Sequence, residues 1–112
     1  MTVFVPLFSG GAVAPQKLNE QEIAAELAKL PGWSLQGGKL HREFVCRDFV
    51  HAFGFMTSVA LAAEAMNHHP DWSNAWNKVV VDLVTHSVGA ISNLDVELAR
   101  MMETLAHGTA NH

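Results

Sequence analysis

The sequence predicts a two-layer α+β sandwich: a four-stranded antiparallel sheet with helices on one face, in the order α-ββ-α-ββ-α. Three observations carry this prediction. Three segments repeat apolar residues at helical spacing. Two pairs of short strand-like runs flank the turn dipeptides Gly37-Gly38 and Trp76-Asn77. Hairpins and helices then alternate, so sheet and helices segregate into two layers. No internal linker or low-complexity segment interrupts the order.

Residues 1–17 read as an N-terminal leader, either mobile or an added edge strand, with Val3, Val5 and Leu7 alternating between Gly and Pro breakers. Its first basic residue is Lys17, whereas a secretory signal places positive charge before its apolar run. Residues 18–112 read as one domain. Asn19 and Glu22 have capping-box spacing and Leu18 and Ile23 that of a hydrophobic staple. Ile23, Leu27 and Leu30 continue the helix to about Leu30, where Pro31-Gly32 stops it.

Gly37-Gly38 supplies the positive φ that a two-residue hairpin needs, which pairs Gln36 with Lys39 and Leu35 with Leu40. Asp48 is an N-cap for a helix from Phe49 to about Asn67. Phe49, Phe53, Met56, Ala60 and Ala63 form its apolar stripe, flanked by Ala52, Phe55, Val59 and Met66. Val50, Gly54 and Leu61 fall on the opposite arc beside Ser58. A helix apolar on both sides needs cover on both, the sheet on one and another helix on the other, within the chain or from a second subunit.

Pro70 then biases His69 out of the helix, with His68 near its last turn. Trp72–Ala75 and Lys78–Thr85 form the second hairpin, with Val79, Val81 and Leu83 on one face. Ser92 and Asp95 open the last helix with a near-capping box. Leu94, Leu98, Met101, Met102 and Leu105 are its buried stripe, and Gly108 suits its stop.

At 112 residues, the apolar fraction of 49% and charged fraction of 16% describe a compact globular chain. So few charges point to apolar surface hidden by self-association. The formal net charge of −4 lacks the basic footprint of direct nucleic-acid or anionic-membrane binding. No window reaches the roughly 18 uninterrupted apolar residues that span a bilayer. Cys46 is the single cysteine, which fits a reducing, cytoplasmic compartment and a packed side chain rather than a nucleophile.

Function concentrates between Glu64 and His86, a stretch reading EAMNHHPDWSNAWNKVVVDLVTH. Histidine exchanges protons near neutrality, so His68, His69 and His86 meeting in one cleft could divide acid and base roles. Glu64, four residues before His68, shares a helix face with it and would orient its imidazole. Trp33, Trp72 and Trp76 could supply flat apolar walls. A structural role for each histidine, and zinc held by all three, are the competing readings. Against zinc, adjacent histidines converge poorly on one ion, and HExxH and CxxC patterns are absent. His41, His51, His107 and His112 have no supporting pattern and read as surface residues. Phosphate-binding glycine loops and GxSxG are also absent.

The run EAMNHHPDWSNAWNKV, with Thr85-His86 after it, closely resembles the pterin-4a-carbinolamine dehydratases. Members of that family are also called the dimerization cofactor of a homeodomain transcription factor. Gly32-Trp33, AFGFMTSVALAAE from Ala52 to Glu64, and Asp95 with the closing helix extend the similarity over about residues 18–106. The resemblance implies dehydration of 4a-hydroxytetrahydropterin to the quinonoid dihydropterin, in tetrahydrobiopterin recycling. It implies no metal or cofactor, and assembly as a homodimer and homotetramer.

Carried over residue by residue, it makes His68, His69 and His86 catalytic, with Glu64 supporting. His68 and His69 would be the proton-transfer pair and His86 mainly a pterin-binding group. Trp33, Pro70 and Trp72 would line the substrate. A second implied role is docking of a transcription factor's dimerisation helices, with a nuclear location where that role applies. Animal members carry arginine where this chain has Leu94, so no role of that arginine is carried over.

Overall fold

The structure, a computed structural model, describes residues 14–107. The alternating Val3, Val5 and Leu7, the stop at Gly108, and His112 lie outside the described residues. The elements run α1 (Glu20–Leu27), β1 (Ser34–Gln36), β2 (Lys39–Val45), α2 (Phe49–Met66), β3 (Asp71–Ala75), β4 (Lys78–Leu83) and α3 (Asn93–Leu105). This is the α-ββ-α-ββ-α order that the sequence predicts. The strands pair antiparallel throughout, in the spatial order β1-β2-β4-β3.

Local chemistry sets the boundaries. Both capping boxes form: Asn19 with Glu22 starts α1, and Ser92 with Asp95 starts α3. In the first hairpin Leu35 faces Leu40 and Gln36 faces Lys39. Gly37 and Gly38 take φ of 59° and 77° in the turn, conformations glycine adopts without steric cost. Trp76 takes the left-handed conformation in the other turn, with φ of 54°. α1 is shorter than expected, because the chain tightens after Leu27 through Lys29 N–H to Glu26 O and Leu30 N–H to Leu27 O.

β4 also stops early, at Leu83. Thr85 instead pairs with Ala90 in an isolated bridge that closes a turn from His86 to Gly89. Before α1, Lys17 bridges Ser92 and Leu18 N–H reaches Ile91 O, so this segment lies along the entry to α3.

The core lies between the sheet and the two long helices. Leu40, Val79, Val81 and Leu83 from the strands meet Phe55 and Val59 of α2 and Leu98 and Met102 of α3. The buried face of α2 is Ala52, Phe55, Val59, Ala63 and Met66. The stripe expected from Phe49 and Phe53 is therefore rotated: both rings are exposed and pack on each other, with centroids 5.8 Å apart.

Val50 and Leu61 are exposed as well. α2, at 18 residues, is long and apolar enough by length and composition to cross a membrane. Five of its residues are nevertheless buried in the core of this fold. Cys46 is free and buried, and burial first, then the Asp48 charge, raises its thiol pKa.

Asp48 caps α2 by accepting His51 N–H at 2.8 Å, and its Oδ1 lies 2.6 Å from His51 Nδ1. The side-chain bond first, then the backbone bond, lower its pKa from the ordinary value. A carboxyl group whose pKa is lowered on folding adds stability above its unfolded value, and loses it as pH falls through the folded one. Asp48→Asn keeps a capping side chain and removes the titration. Denaturant unfolding should show wild type more stable above about pH 4, with the difference fading at lower pH. An equal difference at about pH 2 would contradict this cause.

Candidate functional site

The end of α2 decides where the paired histidines go. Asn67 adopts the left-handed conformation, with φ of 54°, which asparagine tolerates better than most residues. His68 N–H donates to Ala63 O and Asn67 N–H to Glu64 O, the pair of bonds of a Schellman motif. The chain thus turns at Asn67, earlier than Pro70 alone would require. His68 is already outside the helix, and four-residue helical spacing from Glu64 does not apply to it.

The consequence is a change of partners. His68 turns inward and its Nε2 lies 2.6 Å from Asp95 Oδ1. Glu64 pairs with His69 instead, Oε1 to Nε2 at 2.9 Å, on the surface. His86, exposed in the turn after β4, has its Nε2 3.6 Å from Asp71 Oδ2, an ion-pair distance rather than a hydrogen bond. Asp71 lies two residues beyond His69 in the chain and opens β3. Thr85, beside His86, also contacts Asp95. The same short segments therefore link all three histidines. Among the described residues no three His, Cys, Asp or Glu side chains converge as a metal cage.

Pairing with a carboxylate does not by itself mark the site. His41 pairs with Asp82 and His51 with Asp48 in more open settings. Burial is what separates His68 from them. Its residue exposure is 8% and that of Asp95 is 0%. Asp95 Oδ2 accepts Ser92 N–H and Thr85 Oγ1–H, each at 2.8 Å. Thr85 Oγ1 and Ser92 Oγ are 2.6 Å apart. An ionised carboxylate in an apolar interior is tolerated only with such partners.

Asp95 was legible in the sequence as a helix cap and as a position of the family resemblance, but not as the partner of His68. Its second contact joins residues 27 apart in the chain, and no local spacing announces that.

The expected aromatic walls divide. Trp72 is half-buried and packs against the core, and Pro70 is half-buried beside His69. Trp33 is buried, its indole N–H donating to Glu103 Oε2 at 2.7 Å and its ring meeting Phe44 edge-on. The same Glu103 oxygen accepts Arg42 Nε–H at 2.8 Å, and the Arg42 guanidinium lies over Phe44. Trp33 is thus a core residue with its polar edge satisfied, and offers no open wall to a ligand. Trp76, at a hairpin tip, is exposed.

Comparison with known proteins adds an independent line. The model of the family described as pterin 4 alpha carbinolamine dehydratase matches residues 16–105.

The chain belongs to the pterin-4a-carbinolamine dehydratase family.

These proteins are hydro-lyases. A Solibacter usitatus relative bearing the same designation is 51% identical over 92 residues, 82% of this chain and 97% of its own length. The pterin-4-alpha-carbinolamine dehydratase of Drosophila melanogaster is 50% identical over 95 residues, covering 81% of this chain but 50% of the fly protein. The crystal structure of a transcriptional coactivator/pterin dehydratase from Brucella melitensis superposes with a TM-score of 0.78 at 43% identity. That match covers 81% of this chain and 99% of the other.

Asp95→Ala would leave the buried His68 ring, the Thr85 hydroxyl and the Ser92 amide without their acceptor. The expected loss of stability is about 3–5 kcal/mol. Glu64→Ala, which breaks only an exposed pair, should cost no more than about 1 kcal/mol. Urea unfolding of both variants checks the contrast, and comparable small losses would contradict it.

Proposed function

We propose that the protein dehydrates 4a-hydroxytetrahydropterin to the quinonoid dihydropterin by histidine general acid–base catalysis, as a step in tetrahydrobiopterin recycling. The observation that carries this reading is the buried His68–Asp95 pair, linked through short segments to the exposed His69 and His86. Family membership over residues 16–105 supports the pterin as substrate.

The chemistry needs two proton transfers. An acid protonates the 4a-oxygen so that it leaves as water, and a base takes a ring N–H proton as the C=N bond forms. His68 and His69 are the pair proposed for these steps. His68 is held in one orientation by Asp95, which removes rotamer freedom before substrate arrives. His69 is positioned by Glu64, so that carboxylate keeps its supporting role for the neighbouring ring from the one expected. His86 is proposed to bind the pterin, with Pro70 and Trp72 beside it. No thiol or redox step is needed.

A second reading, docking of a partner's dimerisation helices, is favoured by one observation. Val50, Phe53 and Leu61 are exposed on α2, and the Brucella relative is described as a transcriptional coactivator as well as a pterin dehydratase. The same face would serve self-association into a dimer and tetramer, which covers apolar surface from water.

Purified protein should accelerate the dehydration without added metal. Single His68→Ala and His69→Ala variants should each lose roughly 10²–10⁴ in kcat, the usual worth of general acid–base help. A double variant as active as wild type, followed by pterin absorbance, would overturn the catalytic assignment.

A further inference from the structure

The direction of each hydrogen bond around Asp95 can be deduced by counting hydrogens. Asp95 Oδ2 accepts two of them, from Ser92 N–H and from Thr85 Oγ1–H. The hydroxyl of threonine has one hydrogen, so Thr85 Oγ1 must act as acceptor at its 2.6 Å contact with Ser92 Oγ. Ser92 therefore donates to Thr85, while its own Oγ accepts Leu94 N–H at 3.1 Å. The chain of donation runs from Ser92 to Thr85 to Asp95, and it terminates on a carboxylate that is an acceptor.

With Asp95 taken as an acceptor-only carboxylate, the 2.6 Å contact with Oδ1 places the hydrogen on His68 Nε2. A neutral imidazole with hydrogen on Nε2 has its lone pair on Nδ1. The contact with Asp95 is the hydrogen bond that the His68 side chain makes among the described residues. No buried side-chain nitrogen or oxygen among those residues lacks a partner. Nδ1 therefore belongs to the small accessible edge of the ring.

We infer that Thr85 is a positioning residue: acting through Asp95, it fixes His68 as the Nε2–H tautomer and leaves Nδ1 to accept and return the substrate proton. The catalytic part rests on the dehydratase reading above; the tautomer does not. The relevant ring atom is the one turned away from Asp95. The hydroxyl at position 85 matters because it saturates Oδ2 and leaves Oδ1 to the imidazole. Valine keeps the shape of threonine and deletes the donor, whereas serine keeps the donor.

The test is histidine ¹⁵N NMR on the full chain, at a pH where the rings are neutral, for wild type, Thr85→Val and Thr85→Ser. Wild type and Thr85→Ser should show His68 protonated at Nε2 and bare at Nδ1. Thr85→Val should show mixed tautomers and a kcat lower by on the order of 10- to 100-fold, with KM little changed. If the valine variant does not fold, Thr85→Ala serves the same comparison. A wild-type His68 protonated at Nδ1 overturns the assignment. Unchanged tautomer and kcat in Thr85→Val, or in Thr85→Ala where that replaces it, overturn the role of Thr85. The expected tautomer in a wild-type protein without dehydratase activity would overturn the functional reading and leave the tautomer standing.

Discussion

A carboxylate with no exposure to water governs this structure. Removing an ion of that size from water costs several kcal/mol even after the protein relaxes, and partners must offset it. Asp95 obtains them from three places: the chain leaving α2 at His68, the bridge residue Thr85 after β4, and the cap Ser92 before α3. Those segments must meet for the charge to be tolerated. One buried group therefore joins the exit of one helix, the end of the central strand β4 and the entry of another helix. It also fixes which way His68 faces.

The exit from α2 shows how a local device sends two neighbouring histidines to different partners. Asn67 in the left-handed conformation ends the helix, and the Schellman bonds to Ala63 and Glu64 set the direction of the chain beyond it. His68 goes inward to Asp95, while His69 stays at the surface within reach of Glu64. Neighbouring histidines thereby acquire different surroundings: one ring is rigid and nearly dry, the other solvated. A pair of identical side chains with unequal environments suits a reaction needing both an acid and a base.

Much of the fold was legible in the sequence because its signals are local. Asn19 with Glu22, Ser92 with Asp95, and Gly37-Gly38 each specify a terminus or turn within four residues, and each forms as read. The burial of α2 was less legible. Apolar residues surround that helix, so periodicity could not say that Phe55 and Val59 face the sheet while Phe49 and Phe53 stay exposed. Trp33 was misplaced for a related reason, since an indole reads equally as ligand wall or core until Glu103, 70 residues away, is seen to hold its N–H. At the site, the histidines were visible and the true partner of His68 was not. Glu64 at helical spacing was the evident carboxylate, and only the early turn at Asn67 sends His68 to Asp95.

In the proposed function the buried carboxylate aims His68 at a pterin. A co-crystal structure with a dihydropterin tests it most directly. The expected result is a pterin ring nitrogen within hydrogen-bond distance of His68 Nδ1, His69 and His86 around the same ring, and the His68–Asp95 contact intact. A pterin bound away from these three imidazoles, for instance in the groove lined by Ser58, Ala62 and Met101 between α2 and α3, would contradict it.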